Sequence, residues 1–210
     1  MVLGAIFLAV SKISAERHED HGVAILPEMT YTPTSGLVVK NPVACHQVCL
    51  TGCADYTIIQ YLRDEGDSDK RILLGGATPD DALAIATAHL LVAYAKRQSG
   101  EYNKLSRYMP EAVSQAISLG EATKQSEVRF CLSDGHSWIF AILQKDEAGN
   151  RTYYESAIKS FDGSLVRMAN PTHAMNQIRE IVELVLYWLS PSKAVNHEQL
   201  YELKHSAQFR

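Results

Sequence analysis

Apolar residues with helical spacing lie near both ends of the chain. Residues 1 to 15 predict an N-terminal core helix, and no basic residue precedes this stretch as it would in a secretory signal peptide. Its apolar face consists of Leu3, Ile6, Phe7, Val10 and Ile13. Pro171 to Leu189 predict a long helix, followed by a polar tail over residues 191–210. The pattern favours a single domain over residues 1–190.

Extended segments fill much of the region between residues 20 and 62. Gly22 to Leu26 and Gly36 to Val39 predict short strands. Residues 46 to 62 predict the longest strand, and apolar side chains on both of its faces are typical of a central position in a sheet. The polar residues Arg63 to Thr78 predict an exposed connection.

A helix start follows this connection. Thr78 offers a capping hydroxyl, a proline comes next, and Asp81 stands three residues after the cap, so a helix is predicted to begin at that proline. Helix formers then continue to Lys96 without glycine or proline, which leaves a longer helix open. The apolar run Leu90–Val92 favours a buried strand, and we predict helix to about His89 followed by a strand.

The middle of the chain predicts one more helix and three strands. A helix is expected over Tyr102–Gln125, and Val128–Leu132 and Trp138–Gln144 are expected to form a hairpin around an Asp-Gly turn. Arg151–Ile158 predicts a further strand. This order of elements predicts an α/β fold with a mixed central β-sheet flanked by helices.

Composition limits the classes of function. The 210 residues are 46% hydrophobic, enough for a sizeable core, and the net charge of −4 argues against tight nucleic-acid binding through a broad basic surface. Any phosphate contact would have to be local. No stretch is long enough to span a bilayer, so the sequence favours a soluble intracellular protein, cytoplasmic or nuclear, without a membrane partner.

The four cysteines do not show metal-ligand spacing. Cys45, Cys49 and Cys53 recur every four residues, Cys131 stands apart, and no CxxC pair is present. We predict free thiols in a reducing compartment, with disulfides as the alternative.

Two charged residues lie within apolar runs. Asp55 interrupts the run Leu50–Tyr61, and Lys96 stands two residues past Tyr94 at the end of the next run. Moving such charges out of water is costly, so residues of this kind are usually paired, metal-bound or catalytic. A buried ion pair between Asp55 and Lys96 is one interpretation. A basic helix end at Lys96 is another.

The order of these features resembles the PD-(D/E)XK nuclease superfamily. A helix is followed by strands carrying Asp55, a strand ending in Lys96 and a helix carrying Gln115. The phrases LTGCADY, AKRQ, EAVSQA and RFCLSDGHSWIF resemble fungal proteins of this nuclease-like type, over roughly residues 16–160. The resemblance implies a restriction-endonuclease-like core in which Asp55 holds Mg²⁺ or Mn²⁺, Lys96 orients or activates water and Gln115 supports the site.

The chain departs from the superfamily at Tyr94. Members of that superfamily place an acid two residues before the lysine, and a neutral phenol is a poor ligand for Mg²⁺. Asp55 and the carbonyl of Ala95 would then hold metal weakly unless another acid compensates. The candidates for that acid are Glu111, which shares a helix face with Gln115, then Glu101, and Glu16 or Glu19 in the first helix.

Other residues receive structural interpretations. Ser133, Asp134 and His136 surround one hairpin turn, too close in sequence for a hydrolase triad. His18 and His21 lie just past a helix end and are interpreted as solvated. Gln115 and Glu111 could each be ordinary surface groups on an amphipathic helix. Aromatic residues on the later strands are interpreted as core packing rather than base-stacking groups.

The sequence therefore predicts metal-dependent phosphodiester hydrolysis of DNA or RNA. The alternative is a catalytically inactive nuclease-fold module that binds protein or nucleic acid, which the tyrosine at position 94 and the acidic net charge favour. A homodimer stays open as an assembly.

Overall fold

A mixed α/β fold is seen in the computed structural model, which describes residues 2–17, 20–32, 35–40, 47–63, 67–94, 105–161 and 171–189. The elements in chain order are α1 (Val2–Arg17), β1 (His21–Thr30), β2 (Leu37–Lys40), β3 (Gln47–Leu50), β4 (Cys53–Leu62), α2 (Ser68–Leu74), α3 (Pro79–Ile85), β5 (Ala88–Tyr94), a 3-10 helix (Leu105–Tyr108), α4 (Met109–Thr123), β6 (Glu127–Ser133), β7 (Ser137–Lys145), β8 (Arg151–Glu155), β9 (Lys159–Ser160) and α5 (Pro171–Leu189).

The main sheet contains seven strands in the order β1-β4-β5-β6-β7-β8, with β9 also pairing with β7. Neighbouring strands are antiparallel except β5 and β6, which are parallel. Helix α4 connects these two strands, as expected because parallel neighbours need a crossover. The predicted mixed sheet is thus confirmed. Strands β2 and β3 form a separate two-stranded sheet.

Helices cover both faces of the main sheet. Helices α1 and α5 share one apolar core with β4 to β7, and α4 packs in a second core formed by the other side chains of β6 and β7. The predicted apolar face of α1 is confirmed, because Leu3, Ile6, Phe7 and Val10 are buried. Within the described ranges, no helix combines the length and the apolarity needed to cross a membrane.

The predicted start of α3 is confirmed by a capping box. The amide of Asp81 donates to the Thr78 hydroxyl oxygen at 3.2 Å, and the amide of Thr78 donates to the Asp81 carboxylate at 3.3 Å.

The predicted end of this helix is wrong, because α3 ends at Ile85 rather than near His89. The alternative of a helix continuing to Lys96 is also wrong, because β5 begins at Ala88. The reason lies in Thr87, whose amide and hydroxyl both donate to the Gln60 carbonyl, at 2.8 and 3.0 Å. These bonds hold Thr87 beside β4, and β5 begins at the next residue.

The predicted strand over residues 46–62 is wrong in one respect, because it consists of two strands in different sheets. β3 is mostly exposed, whereas Thr57 to Tyr61 in β4 are all buried, so the central position belongs to β4 alone. The break falls at Gly52, whose amide donates to the Thr32 hydroxyl at 2.8 Å and whose carbonyl accepts from the Tyr31 amide at 3.1 Å. Both bonds tie the break to the end of β1.

Two other helices differ from the prediction. The connection predicted over residues 63–78 contains α2, which buries Leu73 in a small core with β1, β4 and α3. The helix predicted over Tyr102–Gln125 is described from Leu105, as one 3-10 turn followed by α4, and residues 102–104 lie outside the described ranges.

The hairpin of β6 and β7 is confirmed, while the strand predicted over Arg151–Ile158 ends three residues early. It stops at Glu155 because Ser156 bonds Phe140 twice. The Ser156 amide donates to the Phe140 carbonyl at 2.8 Å, and the Phe140 amide donates to the Ser156 hydroxyl at 3.1 Å. In the second bond the Phe140 amide of β7 donates to a side chain instead of to a main-chain carbonyl of β8. The regular pairing of β7 with β8 therefore ends here, and the chain continues to β9.

Candidate functional site

The start of β4 and the ends of β5 and β6 meet at one edge of the main sheet. Tyr56 pairs with Val92, so Asp55, one residue earlier, lies beside the last residues of β5. Tyr94, the final residue of β5, pairs with Ser133 at the end of β6. We call this region, from Asp55 through Tyr94 to Ser133, the Asp55 edge.

Four of the predicted site residues lie outside the described ranges: Ala95, Lys96, Glu19 and Glu101. Ala95 and Lys96 follow Tyr94 directly in sequence. The end of β5 at the Asp55 edge is therefore the described point nearest to Lys96 along the chain. The roles assigned to these four residues stay predictions.

Gln115 is a buried residue of α4, with 9% of its surface exposed, so the interpretation as a surface amide is wrong. Its main-chain carbonyl accepts a hydrogen bond from the Tyr31 hydroxyl at 3.0 Å. Its side-chain Oε1 is buried and finds no hydrogen-bond partner among the described residues. A buried polar atom without a partner costs free energy, so this oxygen suits a bound water or ligand.

Tyr31 contacts Gln115 and lies near enough to Asp55 for the carboxylate to affect its pKa. Burial raises the pKa of Tyr31, and the nearby Asp55 carboxylate raises it further. The phenol therefore stays protonated at neutral pH, and Asp55 lies within electrostatic range of its hydroxyl. No local pattern selects Tyr31, which stands in a segment rich in threonine and proline.

Glu28 of β1 faces Asp55 across the strand pair. Pro27 pairs with Tyr56 and Met29 pairs with Ala54, which leaves Glu28 and Asp55 opposite each other between two paired positions. Like charges in such positions destabilise a sheet. Glu28 also has φ of 49°, a left-handed conformation that costs a non-glycine residue roughly 1–2 kcal/mol. Sequence reasoning missed Glu28, because this opposition depends on register.

Replacing Glu28 by glycine is expected to stabilise the fold by about 1 kcal/mol, since glycine adopts positive φ without strain and the like charge opposite Asp55 is removed. Urea denaturation would measure the free energy of unfolding. Lys124→Gly is the matched control, because Lys124 is also exposed and has φ of 56°, but it lies at the end of α4. A loss of stability in Glu28→Gly alone would contradict the strain argument.

Two of the acids predicted as additional metal ligands, Glu111 and Glu16, lie within the described residues, and they differ in position. Glu111 is exposed in the first turn of α4, the helix that leads from the end of β5 to the start of β6. Glu16 is exposed in the last turn of α1, where its carboxylate lies 4.0 Å from the Lys12 ammonium. The chain then enters β1 at His21, which pairs with the far end of β4 from Asp55. The structure thus does not bring Glu16 to the Asp55 edge.

The interpretation of Ser133, Asp134 and His136 as turn residues is confirmed. The Asp134 carboxylate accepts from the amides of His136 and Ser137 at 2.9 and 2.7 Å, and the Ser133 hydroxyl accepts from the Gly135 amide at 2.9 Å. The side chains of Ser133 and Asp134 are therefore engaged by the hairpin backbone.

Cysteines and acids are the other residue types from which a metal centre could be built. Cys49, Cys53 and Cys131 are free thiols, and burial raises the pKa of Cys131. Over the part of the chain that the structure describes, no three His, Cys, Asp or Glu side chains are grouped so that they could hold a metal ion. The Asp55 carboxylate and the Gln115 Oε1, which has no hydrogen-bond partner among the described residues, are oxygen atoms of the kind that bind a hydrated cation.

Comparisons with protein-family models, curated proteins and solved structures give no match to this chain. The functional conclusion therefore depends on the residues of the Asp55 edge and their geometry.

Proposed function

We propose that the chain has a restriction-endonuclease-like core and hydrolyses phosphodiester bonds of DNA or RNA with Mg²⁺ or Mn²⁺ at the Asp55 edge. One observation carries the proposal: Asp55 on β4 lies beside the end of β5, the strand that leads in sequence to Lys96. An acid and a lysine from neighbouring strands are what the resemblance to PD-(D/E)XK nucleases requires.

The topology supports the proposed core. Helix α1 is followed by the antiparallel strands β1, β4 and β5, and α4 then crosses over to β6, parallel to β5. Apart from the β2–β3 hairpin and the helices α2 and α3, this order agrees with the order of features on which the resemblance rests. Asp55 lies on the second main-sheet strand and Gln115 on the crossover helix, as that resemblance implies.

The chemistry assigns a role to each group. A bound Mg²⁺ or Mn²⁺ would screen the phosphate charge and stabilise the pentacoordinate transition state. Asp55 would hold the cation, together with the Ala95 carbonyl and an acid from Glu19, Glu101 or Glu111, while Lys96 would orient the attacking water. The buried Gln115 Oε1 would accept a hydrogen bond from a cation-bound water.

The second candidate function is a catalytically inactive module on the same fold, binding protein or nucleic acid. Tyr94 favours it, because the last residue of β5 carries a neutral phenol where the superfamily has an acid. In this second candidate function, the residues of the Asp55 edge are retained but do not catalyse hydrolysis.

Mn²⁺ titration by calorimetry tests the site, comparing the wild-type chain with Tyr94→Glu. Glutamate restores the acid that the superfamily has at this position, so we expect Mn²⁺ affinity to rise about tenfold, which corresponds to about 1.4 kcal/mol. Tyr94→Gln is the matched control, because a glutamine side chain has nearly the same shape as glutamate but carries no charge. An unchanged Mn²⁺ affinity in Tyr94→Glu would mean that position 94 does not face the site.

Cleavage assays distinguish the two candidate functions. The wild-type chain would be incubated with single- and double-stranded DNA and RNA, with Mn²⁺ or with a chelator. Cleavage that needs Mn²⁺ supports the hydrolase. Mn²⁺ binding without any cleavage supports the inactive module, and the absence of both removes the metal-site proposal.

A further inference from the structure

Tyr31 joins the start of β4 to α4 through three contacts. Its amide donates to the Gly52 carbonyl at 3.1 Å, and its hydroxyl donates to the Gln115 carbonyl at 3.0 Å. Its ring also packs against the backbone of Gly52. One buried side chain thus bridges the break before β4 and the middle of α4.

Gly52 is required for this close approach. A Cβ atom added at Gly52 would lie 2.3 Å from Cε2 of Tyr31 and 2.9 Å from Cβ of Ser118. Contacts this short do not occur between real side chains, so any other residue would push the ring or the helix away. The backbone at Gly52 is therefore packed between Tyr31 and α4.

Asp55 follows Gly52 by three residues, at the start of the strand that these contacts hold. The distance between Asp55 and α4 is consequently set through Tyr31. Burial and the nearby Asp55 carboxylate keep the phenol protonated, so it is a hydrogen-bond donor rather than a metal ligand.

We infer that Tyr31 is a positioning residue, which holds Asp55 at the correct distance from Gln115 in the proposed metal site. This inference rests on the proposed function. Catalytic and binding groups lose effectiveness when their supporting residues allow displacements of about 1 Å. The Tyr31 hydroxyl therefore contributes to metal affinity without touching the metal.

Tyr31→Phe is the test, because it removes the hydroxyl and retains the ring. We expect the Kd for Mn²⁺, measured by calorimetry on the full chain, to rise about fivefold. The KM for nucleic acid should stay unchanged, and saturating Mn²⁺ should restore kcat, which a general loss of structure would not allow. Hydrogen exchange at the Gly52 amide should also become faster, while amides at the far end of β4 keep their wild-type rates.

Tyr61→Phe is the matched control, because Tyr61 is a buried tyrosine at the other end of β4, paired with Gly22. It should leave the Kd for Mn²⁺ unchanged. A Kd in Tyr31→Phe within twofold of wild type, or an equal rise in Tyr61→Phe, overturns the inference and leaves the proposed function standing. A wild-type chain that binds no Mn²⁺ overturns both.

Discussion

Asp55→Asn is expected to reduce metal-dependent cleavage by about 10³-fold, which corresponds to about 4 kcal/mol of transition-state stabilisation. Asparagine retains the shape of the side chain but removes the charge that a hard cation needs. Initial rates at several Mn²⁺ concentrations would measure the loss, with circular dichroism to show that the fold is intact. Because this substitution changes the proposed ligand itself, we expect the loss to persist at saturating Mn²⁺.

Lys96→Met extends this prediction, because Asp55 and Lys96 are proposed to act on one phosphate. Groups that act as a unit are not additive, so the double variant should be about as slow as the slower single variant. Independent losses that multiply in the double variant would mean that the two residues serve different sites.

Asp134→Asn is the matched control for Asp55→Asn. Asp134 follows directly after the end of β6 at the Asp55 edge, but its carboxylate accepts two turn amides, and an asparagine carbonyl oxygen can accept the same bonds. Cleavage should stay within twofold of wild type. An equal loss in both variants would attribute the effect of Asp55→Asn to local charge rather than to metal binding.

Features that depend on local sequence were predicted well. The apolar face of α1, the capping box at Thr78 and the bounds of α5 all agree with the structure. Each depends on residues within a few positions of one another, where helical spacing and capping preferences act directly.

Features that depend on distant partners were missed or misplaced. Ala88 and His89 were predicted as the end of a helix, yet pairing with β4 makes them the start of β5. Gly52 ends β3 because Tyr31 packs against it, and the short helix α2 is stabilised by burial of Leu73 against strands. None of these contacts is visible in a local pattern.

The residues of the candidate site also differ in whether the sequence or only the tertiary structure reveals them. Asp55 and Gln115 were identified from their residue types and order, and the structure brings both near Tyr31. Tyr31 itself, and Glu28 opposite Asp55, become visible only through strand register and packing. Supporting residues of a site are set by tertiary contacts, so sequence order alone does not reveal them.

Trp138→Ala is expected to destabilise the fold by about 3–5 kcal/mol, the range for removing a large buried aromatic side chain. Trp138 is fully buried in the core shared by α1, α5 and the sheet, with its ring 6.4 Å from that of Phe7 and 6.0 Å from that of Phe140. Urea denaturation should show a lower midpoint, with an unchanged slope if the denatured state is the same.

Trp138→Phe separates loss of packing from loss of the indole N–H. The Trp138 Nε1 is buried, and no described residue accepts a hydrogen bond from it, so wild type already carries the cost of an unsatisfied donor. Phenylalanine removes that cost while retaining much of the ring, and we expect a destabilisation below about 1.5 kcal/mol. Equal losses in the two variants would show that the N–H has a partner whose bond matters more than the ring.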